Sequence, residues 1–146
     1  MSVSPIPEGF QTITPYLVVK SVPSLVEFLQ QAFGAELRES TTLPDGSMIH
    51  ALMRVGTSML MMGGAQGEEH PVRSTMLYLY VEDADAWYEG AMKAGAKSVQ
   101  EPRDEFYGDR TCAVEGPQGN QWWIATHKED VTPEEIARRA AEVRGQ

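Results

Sequence analysis

One order of elements occurs twice along this chain, and that repetition restricts the fold more than any single motif does. TITPYLVV (residues 12–19) is β-branched and aromatic and reads as a strand, with Pro15 favouring an edge or bulged position. In SVPSLVEFLQQAFGAE, residues Leu25, Phe28, Leu29, Ala32 and Phe33 recur at i, i+3, i+4, i+7 and i+8, one face of an amphipathic helix. Ser21 or Ser24 suits its N-cap, Pro23 its first turn and Gly34 its stop. ELRESTTL and SMIHALMRV flank Pro44-Asp45-Gly46 as a hairpin, and SMLMMGG follows a turn at Gly56 and Thr57. The order is β-α-β-β-β.

A polar stretch, GAQGEEHPVRS (64–74), reads as a linker, and the same order then returns. TMLYLYV (75–81) is a strand. In the helix that follows, Ala84, Trp87, Tyr88, Ala91 and Met92 repeat the earlier spacing, with Asp83 as cap and Gly95 as stop. KSVQEP, the turn EFYGDR, then RTCAVE and NQWWIATH supply three more strands. FGAE (33–36) finds its echo in AGAK (94–97), with Gly34 and Gly95 lying 61 residues apart. The expected architecture is an α+β domain of two tandem βαβββ modules, about 12–63 and 75–127. A further helix over about 132–144 carries Thr132 as cap, Pro133 in its first turn and Glu135 completing a capping box. Its thin apolar stripe, Ile136, Ala140 and Val143, reads as a surface helix covering a sheet edge. Residues 1–11 read as an arm.

Composition removes several functions. The 146 residues fit one domain with room for a core. A net charge of -9 argues against nucleic-acid and anionic-membrane partners, since neither gains from an acidic surface. With Cys112 as the single cysteine, an internal disulfide and a cysteine-rich zinc site are both excluded. The N-terminal residues lack the regions of a signal peptide and no run has membrane-spanning length, so a cytoplasmic protein is expected.

TPYLVV followed by FLQQAFGAE, then MIHALMRVG, LYVEDADAWYEGAMKAGAK and above all YGDRTCAVEGPQGNQWWIATH resemble the vicinal oxygen chelate superfamily. That superfamily holds glyoxalases, bleomycin-resistance proteins and extradiol dioxygenases, and the closer likeness is to its PhnB-like, glyoxalase-related branch. The resemblance covers roughly residues 12 to 130. One departure is Gly116, where that branch usually has an acidic residue before the proline. The resemblance implies that the strands curl into an incomplete barrel, with helices on the convex side and a ligand site on the concave side. Metal enzymes of the superfamily place His or Glu on concave positions of four strands. Counting from strand ends, those positions here are Thr14, Met61, Met76 and Trp123, none a usual ligand of a divalent metal. No metal or other cofactor is therefore expected. Among the histidines, His70 lies in the linker and His127 ends the last strand, and no pair has recognisable ligand spacing.

If Trp123 is concave, period-two alternation makes Gln121 and Ala125 concave and turns Trp122, Ile124 and Thr126 toward the helices. The same rule makes Met76, Tyr78 and Tyr80 concave and packs Leu77, Leu79 and Val81 inside. The expected lining is Tyr16, Met61, Met76, Tyr78, Tyr80, Gln121 and Trp123, joined by His50 and Arg110. This apolar, aromatic lining with a few polar tips suits a small organic molecule. Arg110 has a competing assignment as an ion-pair partner of Asp109 or Glu115. No nucleophile, phosphate loop or acid/base pair is legible, Cys112 reads as a packing residue, and no catalytic residue is named. The expectation is a small-molecule binder, a homodimer by likeness to its relatives. The alternatives are a superfamily enzyme with relocated metal ligands or none, and an interaction module whose cavity is filled.

Overall fold

A computed structural model describes residues 3–145, so positions 1 and 2 of the expected arm lie outside the described residues. The first module contains β1 (Tyr16–Val19), α1 (Val22–Phe33), β2 (Glu36–Thr42), β3 (Met48–Val55) and β4 (Ser58–Gly64). The second contains β5 (Met76–Tyr80), α2 (Ala84–Lys93), β6 (Lys97–Asp104), β7 (Asp109–Glu115) and β8 (Gln121–His127). The last helix is α3 (Pro133–Arg144). The modules form two four-stranded sheets with equivalent orders, β1-β4-β3-β2 and β5-β8-β7-β6, and among the described residues neither closes into a barrel. In each, the first strand runs parallel to the last and the other neighbours are antiparallel.

The helix signals act as the sequence suggests. Ser21 Oγ accepts from Ser24 N at the start of α1, and Gly34 ends the helix at φ 63, a left-handed value that glycine adopts without penalty. Asp83 accepts from Ala86 N at the start of α2, and Thr132 accepts from Glu135 N at the start of α3. Strand bounds differ in two places. β1 begins at Tyr16, four residues later than the apolar run suggests: Pro15 has no N–H, although its carbonyl accepts from Met61 N. β6 runs on to Asp104 and carries Pro102, with register shifts on both sides of Gln100, as an edge strand permits.

The two modules pack through the helix-bearing faces of their sheets. Leu17, Val19, Met53, Met62, Trp122 and Ile124 are fully or almost fully buried there, under Leu25, Leu29 and Phe33 of α1 and Ala84 and Ala91 of α2. The Phe33 ring stacks on Trp87 at 5.0 Å and meets Trp122 edge-on at 5.8 Å, joining the modules through three aromatic groups. The helices approach so closely that a Cβ on Gly90 would lie 2.6 Å from the Ala32 carbonyl oxygen. Gly116 has a comparable reason: a Cβ there would stand 3.2 Å from both Phe28 and the Trp122 indole nitrogen. A side chain at Gly116 would need the Phe28 and Trp122 rings to give by a few tenths of an ångström. Cys112 is buried as expected, its thiol donating to the carbonyls of Ala84 and Ile124 and pushed up to about 11 by burial.

The expectation for α3 needs correction. No residue of α3 is fully buried; Ile136 and Ala140 are half-buried, and Arg139 donates to the Phe106 carbonyl and pairs with Glu129 outside the helix. A three-residue apolar stripe on a helix rich in charge is too narrow to outcompete solvation along a strand.

Candidate functional site

The faces opposite the helices carry large side chains in the open. Tyr16, Met76, Tyr78 and Tyr80 are 52%, 58%, 40% and 65% exposed, whereas Leu17 and Val19 beside Tyr16 are fully buried on the other face and Leu77 and Leu79 of β5 are partly buried there. Alternation along each strand produces this contrast.

On sheet one, Tyr16 stands beside Met61 in the β1–β4 register, and its ring centroid lies 5.9 Å from that of His50. The Tyr16 hydroxyl lies over Gly63, where any side chain would collide with it. The absence of a Cβ at Gly63 thus lets the ring lie across the sheet toward His50. Tyr16, His50 and Met61 form one aromatic and thioether patch.

On sheet two, Met76 pairs with Gln121, Tyr78 with Trp123 and Tyr80 with Ala125, so all six share a face. Trp123 Nε1 donates to Gln121 Oε1 at 3.1 Å, which fixes the indole along the strand. Farther along the same face lies a group that the sequence reading did not include. Asp109 is only 3% exposed, and its carboxylate accepts from Tyr78 at 2.9 Å and Tyr80 at 2.8 Å while facing His127 Nδ1 at 2.9 Å. His127 Nε2 lies 2.7 Å from Asp130. Burial pushes the Asp109 carboxyl up, but the hydrogen bonds from His127, Tyr80 and Tyr78 outweigh it and hold the group below its ordinary range. The bond to Asp109, aided by Asp130, raises His127, while burial and the same network raise Tyr78. The signal for both residues was available: alternation carried two steps beyond Ala125 reaches His127, which pairs with Asp109 across β7–β8.

Arg110 does not belong to this face. It follows Asp109 and therefore points to the helix side, where it makes a two-pronged ion pair with Asp85 of α2 at 2.8 and 3.0 Å and reaches Asp104 at 3.2 Å. Its expected place in the lining is corrected on that ground. The ion-pair alternative holds, with partners other than Asp109 and Glu115. The remaining eight residues fall into two sets on separate sheets, Tyr16, His50 and Met61 on one and Met76, Tyr78, Tyr80, Gln121 and Trp123 on the other. A groove of about 240 Å³ runs between the modules, with Tyr78 and Tyr80 on one side, the Val55–Leu60 segment opposite, and Trp87 and Trp122 also lining it.

Met61, Met76 and Trp123 are not usual ligands of a divalent metal, and Thr14 precedes β1. Among the described residues, no three His, Cys, Asp or Glu side chains converge as an ion requires, because the carboxylates around His127 bind opposite sides of one ring.

Comparison with known proteins agrees with this architecture. An uncharacterised protein of Mycobacterium bovis is 33% identical over 134 residues, spanning 85% of this chain and 88% of that protein. An uncharacterised protein of Mycobacterium tuberculosis has the same identity and spans 79% of its own length. Among solved structures, TioX from Micromonospora sp. ML1 superposes with a TM-score of 0.70 at 24% identity, covering 80% of this chain and 98% of TioX. A glyoxalase/bleomycin resistance protein/dioxygenase from Nocardioides gives 0.63 at 22% identity, covering 90% of each chain. At these identities the structural likeness concerns the fold. The sequence profile of the glyoxalase/bleomycin resistance protein/dioxygenase superfamily matches residues 9–124, and the chain belongs to that superfamily.

Proposed function

We propose that this protein is a PhnB-like, bleomycin-resistance-like binder of a small organic molecule, which it holds without a metal on the faces opposite its helices. It acts in the cytoplasm as one glyoxalase-like domain in each chain of a homodimer, and the second copy covers the rest of those faces. The observation that carries this reading is the exposure of Tyr16, Met76, Tyr78 and Tyr80 on strands whose alternate residues are fully buried in β1 and partly buried in β5. Tyrosine and methionine gathered on one surface lose contact and gain hydration unless something covers them. The mixture of ring faces, thioethers and a few hydrogen-bonding tips suits a planar or cationic organic compound. The mismatched donor positions at Met61, Met76 and Trp123 support binding without a metal. No described helix is long and apolar enough to cross a membrane.

A thermal-shift screen of small aromatic and cationic compounds, followed by titration of the hits against Trp123→Phe and Tyr16→Ala, tests the reading. Hits are expected to lose affinity in both variants. A screen with no shift, or hits that ignore both substitutions, removes the reading. Stoichiometric Zn, Ni, Mn or Fe in protein purified without chelators transfers the assignment to a metal-using enzyme of the superfamily.

A further inference from the structure

Two phenols and one imidazole on sheet two turn toward a single buried carboxylate, a third phenol reaches one of them from the β6–β7 turn, and their hydrogens can be counted. The Asp109 carboxylate has no proton to give, so Tyr78 and Tyr80 must both donate to it, at 2.9 and 2.8 Å. Tyr107 lies 3.3 Å from the Tyr78 hydroxyl, whose proton is already committed, so Tyr107 is the donor in that pair. All three phenolic hydrogens therefore run inward, along two branches that meet at Asp109. The exposed sides of Tyr78 and Tyr80 offer ring faces and oxygen lone pairs, and no O–H. The two rings form an open corner, 5.3 Å between centroids and tilted by 59°.

The charged group nearest the two rings is the Asp109 carboxylate, to which both hydroxyls donate. Protonated His127 offsets Asp109, but its other nitrogen faces Asp130, which leaves two carboxylates against one imidazolium. On the far side of Asp109, Asp104, Glu105 and Glu129 stand with Lys128 and are paired with Arg110, Arg103 and Arg139. Arg110 points to the opposite face of the sheet and is occupied by Asp85 and Asp104. A phenol that donates to an anion is also more electron-rich in its ring, and a cation over such a ring is attracted to the ring and to the anion behind it.

We propose that the Tyr78–Tyr80 corner over Asp109 is a subsite for an organic ammonium group, so the small molecule taken on this face carries a positive charge. An anion meets lone pairs and ring faces over the Asp109 carboxylate, while His127, 6.5 Å from the Tyr80 ring, is already turned to Asp109 and Asp130. A neutral compound gains the ring contacts and forgoes the charge. The subsite presupposes that this face takes a small molecule, as proposed above, and adds the chemical class.

The test compares choline with its neutral isostere 3,3-dimethyl-1-butanol on the full-length protein, reading tyrosine ring signals by NMR. Choline is expected to bind about tenfold more tightly than the isostere, the difference that charge over an aromatic face supplies. Tyr80→Leu should weaken choline by about tenfold with an unchanged circular dichroism spectrum. Tyr80→Phe, which keeps the ring and cuts its link to Asp109, should weaken it by a smaller factor. Equal binding of choline and the isostere overturns the ammonium subsite and leaves a small-molecule face standing. Failure of both, while a neutral aromatic compound shifts the same signals, has the same meaning. If no compound of any charge shifts them, the ammonium subsite and the small-molecule reading fall together. The comparison of two compounds on the unsubstituted protein decides the matter even if a variant does not fold.

Discussion

Replacing Trp122 by alanine removes an indole that is 1% exposed and touches both modules through Phe33, and is expected to cost about 3–5 kcal/mol in denaturant unfolding. Trp123, one residue on, is only partly buried on the opposite face, so Trp123→Ala should cost clearly less and act chiefly on ligand titrations. The Asp109–His127 pair gives a pH signature. Asp109, and then Asp130, raise His127 above its ordinary 6.5, so its contribution is fully present below 6.5 and lost as pH rises through the folded value. Asp109 is held below 3.8, so its contribution is fully present above 3.8 and lost as pH falls through its folded value. Together they stabilise the fold most between 3.8 and 6.5. An NMR titration of His127 should therefore show a midpoint above 6.5 that drops in Asp109→Asn. An unmoved midpoint would remove this pair from the account of stability.

At the level of elements, the α1–α2 crossing depends on Gly90, whose missing side chain admits the Ala32 carbonyl. Gly90→Val should force the helices apart and cost about 1–3 kcal/mol, measured by chemical denaturation. Ending the chain after Val131 should change the unfolding free energy by about 1 kcal/mol at most, because α3 fully buries no residue and is held by exposed or half-buried ion pairs. Both helix starts and the module order were legible because capping and apolar spacing act within a few residues of chain. β1's late start was half-legible, since Pro15 was visible but the outcome depended on β4 pairing from Tyr16 onward. The Asp109–His127 cluster and the true side of Arg110 were harder to see. Both require the β7–β8 register, which joins residues as far apart as Asp109 and His127 and is set by a turn. Once Ala113 is placed opposite Trp123, alternation puts Asp109 on the ligand face and Arg110 on the helix face.

For the whole molecule, the exposed tyrosines and methionines predict self-association: light scattering should return about twice the 16.2 kDa chain mass, and Met76→Glu should shift the population toward monomer. A monomer at all concentrations would leave the ligand alone to cover these faces. The two modules of one chain are tied more tightly. Gln118, in the turn between β7 and β8, accepts with one amide oxygen from the backbone N–H groups of both Lys20 and Ser21, each at 3.0 Å. These contacts span 97 and 98 residues of chain and lie at the start of α1. The repeats consequently do not melt as independent halves, since the backbone N–H groups that lead into α1 keep these two hydrogen bonds only while the second module is folded. Amide protons of Lys20 and Ser21, placed near the end of the first strand, should exchange with solvent as slowly as those of Ile124, reporting the cooperative opening of the entire chain.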